Sequence, residues 1–276
     1  TNGVEMRCKM IVKRWVAISA VAVAVSAVLA GCSSQKQPQQ PAAPAAEAQA
    51  SAEAGATEET VAEDATVLKD AFQNDFSVGV AVKMAAVNDD AEMEFVGRNF
   101  NSITMENDMK PESLLDWEAS EKSKDGMPEI RKEHLGRVLG MAKEKGMKLR
   151  GHCLVWHSQT PEWFFSKDFE PSKGLVDKET MKKRMEVYLQ KVLTYCQDNF
   201  PGVVYAWDVV NEAMADGGGY RTESNWYQTY GDESYITDAF TFARKYAASE
   251  VKLFYNDYNE YVPAKRDLIV ELLKDL

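Results

Sequence analysis

Strand-like and helix-like segments alternate along the chain from about residue 66, and this alternation limits the fold more than any other feature. Strands separated by helices pair in parallel, so the pattern predicts an α/β fold on a parallel sheet. A doubly wound sheet is disfavoured because no glycine-rich phosphate loop follows the first strand, and the glycines at 217–219 indicate a flexible turn. The predicted strands are Phe76–Val82, Ser102–Met105, Lys148–Trp156, Val203–Val209 and Val251–Asn256. The predicted helices are Val67–Asn74, Asp89–Phe100, Ile130–Lys145, Lys178–Asn199, Tyr235–Ser249 and Pro263–Leu276.

The fourth predicted strand brings a carboxylate to its C-terminal end. Paired valines, Tyr205 and Trp207 give this segment its strand character, and Asn211 and Glu212 follow it. In a (β/α) barrel, catalytic side chains lie at this end of the strands. The segment alone fits equally well with a second interpretation, in which Glu212 only opens the next helix.

Polar and aromatic side chains also follow the second, third and fifth predicted strands. The C-terminal ends of parallel strands meet on one rim, so we expect these side chains to converge. Amides and carboxylates hydrogen-bond sugar hydroxyls, and aromatic rings stack on the C–H face of a sugar, so the rim predicts a carbohydrate site. Its members are Glu106, Asn107, Asp108, Lys110, His152, Trp156, His157, Gln159, Trp163, Asn256, Asp257, Tyr258 and Asn259.

The histidines and cysteines have alternative interpretations. His152 and His157 lie five positions apart on an extended segment, which directs their side chains to opposite sides, so no metal site is predicted. Either histidine could instead be a satisfied core residue, and His134 is expected to be structural or to face solvent. Cys153 and Cys196 are expected to be two buried thiols rather than a disulfide.

The first 65 residues differ in composition from the rest. An apolar stretch after Lys13 and Arg14 ends in Leu-Ala-Gly-Cys, which resembles a bacterial lipobox and predicts a signal peptide over residues 1–31 with lipidation of Cys32. An ordinary secretory signal is the alternative. Residues 32–65 are dominated by Ala, Pro, Gln, Glu and Ser without an aromatic residue, which predicts a disordered tether. The expected location is a bacterial membrane, at the outer membrane or cell surface.

The charge of the chain limits its partners. A formal net charge of −11 argues against a nucleic-acid partner and fits a neutral substrate. We expect membrane contact through the lipid anchor alone, and a monomer.

Four segments resemble the signature segments of family 10 glycoside hydrolases, which are retaining endo-β-1,4-xylanases built on a (β/α)8 TIM barrel. The segments are ENDMKPE at 106–112, GHCLVWHSQTPEWF at 151–164, WDVVNEA at 207–213 and FYNDYN at 254–259. The resemblance implies that Glu212 is the general acid/base, that Asn211 binds the sugar 2-hydroxyl, and that His157 orients the catalytic carboxylates. It implies xylose-binding roles for Glu106, Asn107, Lys110, His152, Trp156, Gln159 and, on the leaving-group side, Tyr258. No cofactor and no metal is implied.

A retaining glycosidase also needs a second carboxylate as nucleophile. In family 10 this residue is a glutamate at the end of the seventh strand, whereas five strands are predicted here, and Glu260 after the fifth is a poor substitute. We therefore expect residues 66–276 to form about the first five β/α units of the catalytic barrel and to be inactive alone. The complete protein is expected to be an endo-1,4-β-xylanase. A β-1,4-glucanase of similar fold and a non-catalytic surface xylan-binding lipoprotein are the alternatives.

Overall fold

A computed structural model describes residues 67–274 and residue 276. These residues belong to one unit of the chain, Thr60–Leu276. The predicted signal peptide, Cys32 and the predicted tether lie outside the described residues. The strands are β1 (Gly79–Val82), β2 (Ser102–Met105), β3 (Leu115–Asp116), β4 (Glu129–Ile130), β5 (Lys148–Trp156), β6 (Val204–Asn211) and β7 (Lys252–Asn256).

Five of these strands form one parallel sheet in the order β1-β2-β5-β6-β7. The register pairs Thr104 with Arg150 and Trp156 with Asn211, so the C-terminal ends of neighbouring strands lie side by side. Strands β3 and β4 form a separate antiparallel pair. Consecutive parallel strands joined by helices confirm the predicted α/β fold.

Helices connect the strands and cover the sheet. The long helix α7 begins after Asp177, whose carboxylate accepts the N–H of Thr180 at 2.8 Å. Helix α6 ends before Gly146, which has a φ of +66°, a conformation that favours glycine. The helices are α1 (Leu68–Ala71), α2 (Met84–Val87), α3 (Asp90–Asn99), α4 (Pro111–Leu114), α5 (Trp117–Glu121), α6 (Lys132–Glu144), α7 (Lys178–Asn199), α8 (Asn225–Tyr230), α9 (Ser234–Tyr246) and α10 (Pro263–Lys274). Short 3-10 helices occupy Glu162–Phe165, Lys167–Phe169 and Pro171–Lys173.

The two faces of the sheet differ in chemistry. On β5 and β6, Gly151 lies against the Trp207 ring, on the face that packs against α7 and α9. The adjacent positions Arg150 and Asp208 lie on the other face, because side chains alternate along a strand. The apolar face is therefore the core between sheet and helices, and the other face carries charge.

The five predicted parallel strands and the helices between them are confirmed, but several boundaries shift. Strand β1 begins at Gly79 rather than Phe76, and α9 ends at Tyr246 rather than Ser249. Strand β6 extends to Asn211, two residues beyond its predicted end, and the first helix covers only Leu68–Ala71. The pair β3–β4 was not predicted, because two-residue strands have no readable periodicity. Cys153 and Cys196 are buried and free, as predicted. In the part of the chain that the structure describes, no helix combines the length and apolarity needed to cross a bilayer.

Candidate active site

Glu212 follows the last residue of β6 and does not open a helix, since α8 begins only at Asn225. The second interpretation of this acid is therefore wrong. Its backbone has a φ of +54° and is held from two sides. The N–H of Glu212 donates to the carbonyl of Asn256 at 2.8 Å, and its carbonyl accepts Nε of Arg221 at 2.9 Å. Contacts from β7 and from the following loop thus fix the position of this residue.

The carboxylate of Glu212 contacts the aromatic segment after β5. Nε1 of Trp156 donates to Oε2 of Glu212 at 2.8 Å. The carbonyl of Trp156 in turn accepts the indole N–H of Trp226 at 3.1 Å, which anchors the backbone of this segment. The oxygen Oε2 is consequently held by a donor that cannot change its protonation state.

His157 lies beside the same carboxylate, with Nδ1 4.0 Å from Oε2 of Glu212. Burial, followed by the positive charge of Arg221, lowers the pKa of His157, and these effects outweigh the opposing charges of Glu212 and Asp257. The imidazole is therefore neutral near neutral pH. At this distance the ring does not hydrogen-bond the Glu212 carboxylate directly, so its orienting role stays a prediction.

Asn211 is buried at the end of β6. Its Oδ1 accepts the side-chain N–H of Asn256 at 2.7 Å, which fixes the rotation of the amide. The Asn211 side-chain NH₂ then remains the group of this residue that can donate to a ligand.

A second polar group joins the loops after β2 and β5. Nζ of Lys110 donates to Oδ1 of Asn107 at 2.9 Å and to Oε1 of Gln159 at 2.8 Å. Nε2 of Gln159 also donates to Oδ1 of Asn107 at 3.2 Å, and the ammonium of Lys110 lies 4.7 Å from the centroid of the Trp156 ring. Four residues predicted to bind substrate are thus in contact with one another. Glu106 is not part of this group, and its Oε2 lies 3.6 Å from Nζ of Lys83.

His152 contacts a carboxylate that the sequence did not single out. Its Nδ1 lies 2.9 Å from Oδ2 of Asp208, while Oδ1 of Asp208 accepts Nε of Arg150 at 3.0 Å and Nη2 at 2.5 Å. These three residues border a cavity of about 450 Å³ that Glu106 also lines. The available signal was Asp208 within the mainly apolar run of β6, together with Arg150 near the start of β5.

Tyr258, after β7, belongs to a separate set of polar contacts. Its hydroxyl donates to Oδ2 of Asp216 at 2.8 Å and accepts Nη2 of Arg221 at 2.7 Å. Arg221 therefore joins Tyr258 to the backbone of Glu212. The sequence predicted Tyr258 but not Arg221 or Asp216, whose loop is closed by a bridge between Met214 and Tyr220.

The arrangement combines a carboxyl group capable of proton transfer with amide, ammonium and aromatic groups capable of binding a polar ligand. The Glu212 carboxylate accepts the indole N–H of Trp156, and the Glu212 carbonyl is linked through Arg221 to the Tyr258 hydroxyl. Within residues 67–274 and 276, no three His, Cys, Asp or Glu side chains converge as a metal site would require. The predicted site residues thus meet on one rim, except for Glu106 at its edge and His152 on the adjoining cavity.

Comparisons with known proteins agree with this geometry. Residues 67–276 match the family model of Glycosyl hydrolase family 10. Endo-1,4-beta-xylanase B of Butyrivibrio fibrisolvens is 44% identical over 206 residues, which cover 74% of this chain and 32% of that protein. Endo-1,4-beta-xylanase A of Thermotoga maritima is 44% identical over 210 residues, covering 75% of this chain and 18% of that protein.

A solved structure shows the same fold. The CBM22-1 and GH10 modules of an N-terminal endo-1,4-beta-D-xylanase from Clostridium thermocellum, complexed with xylohexaose, superpose with a TM-score of 0.70 at 38% identity. The superposition covers 76% of this chain and 43% of that one. The chain spans about half, or less, of the length of the curated relatives it matches. With residues 67–276 matched and parallel β/α units in place, the chain belongs to glycosyl hydrolase family 10, a family of (β/α)8 barrels.

Proposed function

We propose that the complete protein hydrolyses internal β-1,4 bonds of xylan with retention of configuration. The observation that carries this proposal is the carboxylate of Glu212, held by the indole N–H of Trp156 at the C-terminal end of a barrel strand. Family membership supports it, as do the relatives named as endo-1,4-beta-xylanases.

Glu212 is proposed to act first as acid and then as base. Its carboxyl group donates a proton to the leaving glycosidic oxygen and later accepts a proton from the attacking water. The contact with Trp156 fixes Oε2, which supports the proposal that the other oxygen of the carboxyl group donates the proton. Retention requires a second carboxylate about 5–5.5 Å away as nucleophile, and we assign that role to none of the described residues.

The substrate is proposed to lie across the rim between the two polar groups. Asn107, Lys110 and Gln159 would hydrogen-bond xylose hydroxyls on the non-reducing side, and the amide of Asn211 would donate to the 2-hydroxyl at the cleavage point. Tyr258 would contact the sugar on the leaving-group side. Glu212 would then lie between the two parts of the xylan chain that hydrolysis separates.

The test compares the complete gene product with its Glu212→Gln variant on xylan and on carboxymethylcellulose. We expect xylan to be cleaved in preference, and the variant to lose about 10²–10⁴-fold in rate while still binding xylan. The matched control is Glu260→Gln, which changes an exposed carboxylate after β7 and should leave the rate unchanged. Preference for carboxymethylcellulose would indicate a glucanase. Binding of xylan by the wild type without cleavage would indicate a surface-binding protein, and an active Glu212→Gln variant would exclude this residue as the acid.

We propose further that the protein is anchored at the bacterial outer membrane or cell surface through acyl chains on Cys32, and that it is a monomer. The sequence Leu-Ala-Gly-Cys after an apolar stretch supports the anchor. Cells given a labelled fatty acid should incorporate it into the wild type and not into the Cys32→Ser variant. Equal labelling of both would refute the anchor, and light scattering of the detergent-free Cys32→Ser variant tests the monomer.

A further inference from the structure

Lys265, in the first turn of α10, is a buried lysine that the proposed chemistry does not use. It is 1% exposed, and its Nζ lies 2.7 Å from Oδ1 of Asp257, whose side chain is also 1% exposed. Nζ also lies 3.4 Å from Oδ1 of Asp216. Lysine is almost never fully buried unless paired, because removing its charge from water is unfavourable. Because burying this charge is unfavourable, we expect Lys265 to have a function in the folded protein.

The charge of Lys265 is retained in this setting. Burial opposes the charged form, but the hydrogen bond and negative charge of Asp257, together with the hydrogen bond to Asp216, outweigh burial and raise the pKa of Lys265 above its usual value. The ammonium group is therefore cationic at neutral pH.

The same ammonium group supports the aromatic ring of Tyr258. Nζ of Lys265 lies 3.9 Å from the ring centroid, within the range of a cation–π contact. The Tyr258 hydroxyl has a single proton, which it donates to Asp216, and it also accepts from Arg221. The Tyr258 hydroxyl therefore has little capacity left to hydrogen-bond a ligand. With Lys265 against one face of the ring and 38% of the residue exposed, the free part of the ring is what a sugar can contact.

Asp257 completes the support of this ring. Its Oδ1 accepts the backbone N–H of Tyr258 at 2.8 Å in addition to Lys265, and its Oδ2 accepts the hydroxyl of Tyr255 at 2.5 Å. The Tyr255 hydroxyl also accepts the N–H of Met214 at 3.2 Å, in the loop that carries Glu212. The buried pair thus links α10, the end of β7 and the loop after β6.

We propose that Lys265 is a positioning residue that holds the ring of Tyr258 in place for the sugar on the leaving-group side of the cleaved bond. This inference rests on the proposed xylanase function. Lys265 itself does not touch substrate. Its loss should therefore weaken the use of a leaving-group sugar and should spare a substrate that has none.

The test uses the complete gene product and two substrates. One is a linear xylo-oligosaccharide, which departs as a sugar, and the other is β-xylobiosyl fluoride, whose leaving group fills no sugar site. Lys265→Met should lower kcat/KM on the oligosaccharide by about five- to tenfold, mainly through KM, and change hydrolysis of the fluoride by less than about twofold. The control is Arg266→Met, which alters the exposed neighbour on the same helix and should leave both substrates unchanged.

A second variant separates positioning from simple destabilisation. Lys265→Met leaves the charge of Asp257 buried and unpaired, whereas the double variant Lys265→Met/Asp257→Asn removes both charges. If the double variant recovers thermal stability but keeps the oligosaccharide defect, the proposal is supported. Recovery of oligosaccharide turnover in the double variant would overturn it, as would an equal loss on both substrates.

A coupling measurement completes the test. Tyr258→Ala should show the same substrate-specific loss as Lys265→Met, and combining the two changes should add little, because they act through one ring. Full additivity would overturn the proposal. A wild type that cleaves neither substrate would refute the proposed function itself. If the wild type cleaves both substrates and each variant loses equally on both, the proposed function stands and only the positioning role of Lys265 is refuted.

Discussion

Arg150, His152 and Asp208 form a charged cluster on the face of the sheet opposite the apolar core. Replacing Arg150 by methionine tests whether this cluster stabilises the fold. Arg150 and His152 both hold the carboxylate of Asp208, whose side chain is 4% exposed. The guanidinium also lies 4.5 Å from the Phe254 ring centroid on β7. Methionine keeps most of the side-chain length but removes the charge and all three hydrogen bonds from Arg150 to Asp208.

The expected loss follows from burial. Breaking a fully buried ion pair by removing one partner costs about 3–5 kcal/mol, because an uncompensated charge remains. Arg150 is 31% exposed and His152 still donates to Asp208, so solvent and the remaining hydrogen bond reduce the loss to about 2–4 kcal/mol. Asp208→Asn keeps an acceptor for Arg150 and should lose only about 1–2 kcal/mol.

Urea unfolding of the complete gene product, followed by tryptophan fluorescence, measures these losses. The double variant Arg150→Met/Asp208→Asn should lose less than the sum of the single losses, with a coupling of about 1–2 kcal/mol, since it leaves no buried charge without a partner. The exposed Arg266→Met control, which breaks only a contact with the neighbouring Asp267, should stay within about 0.5 kcal/mol of wild type. A loss below about 1 kcal/mol for Arg150→Met, or strict additivity in the double variant, would refute the reasoning.

Three further predictions concern stability. Gly151→Ala places a methyl group against the atoms of the Trp207 ring and should lower the free energy of unfolding by about 3 kcal/mol. Gly97→Ala has open space in α3 and should raise this free energy by about 0.5–1 kcal/mol. Urea unfolding of both variants measures the two changes. Because burial holds the pKa of His157 below its usual value of 6.5, the unfolded chain takes up a proton first as pH falls. The free energy of unfolding should therefore decrease from about pH 6.5 down through the folded-state pKa, and His157→Gln should flatten that slope. The hydroxyl of Tyr188 is buried without a hydrogen-bond partner among the described residues, so Tyr188→Phe should lose less than about 0.5 kcal/mol or gain stability, and a large loss would reveal a missing partner.

The sequence predicted those elements whose ends are chemically marked. Helix α7 matches its predicted bounds because Asp177 caps its start and Pro201 follows its end. Strands β2 and β5 match as well, since apolar residues are bounded by polar ones. The pair β3–β4 escaped prediction because its pairing depends on contacts between chain segments, not on local pattern.

The rim of the site was predictable for a different reason. Parallel strands place their C-terminal ends together, so residue type and strand position were enough to bring Trp156, Lys110 and Glu212 to one place. Arg150 and Asp208 lie within strands, at positions that a sequence pattern assigns to the core, and only the structure shows that they pair with each other. Loop contacts were equally inaccessible, since nothing local in the sequence directs Arg221 to the carbonyl of Glu212.

The backbone of Glu212 shows why such loop contacts matter for chemistry. A residue with a side chain at positive φ is disfavoured by about 1–2 kcal/mol, so β6 alone would not hold Glu212 at +54°. The hydrogen bonds to Asn256 and from Arg221 offset that strain, and they come from the next strand and the following loop. The direction in which this carboxylate points is therefore set by neighbouring elements, so substitutions at Arg221 can misdirect the proposed acid without touching it.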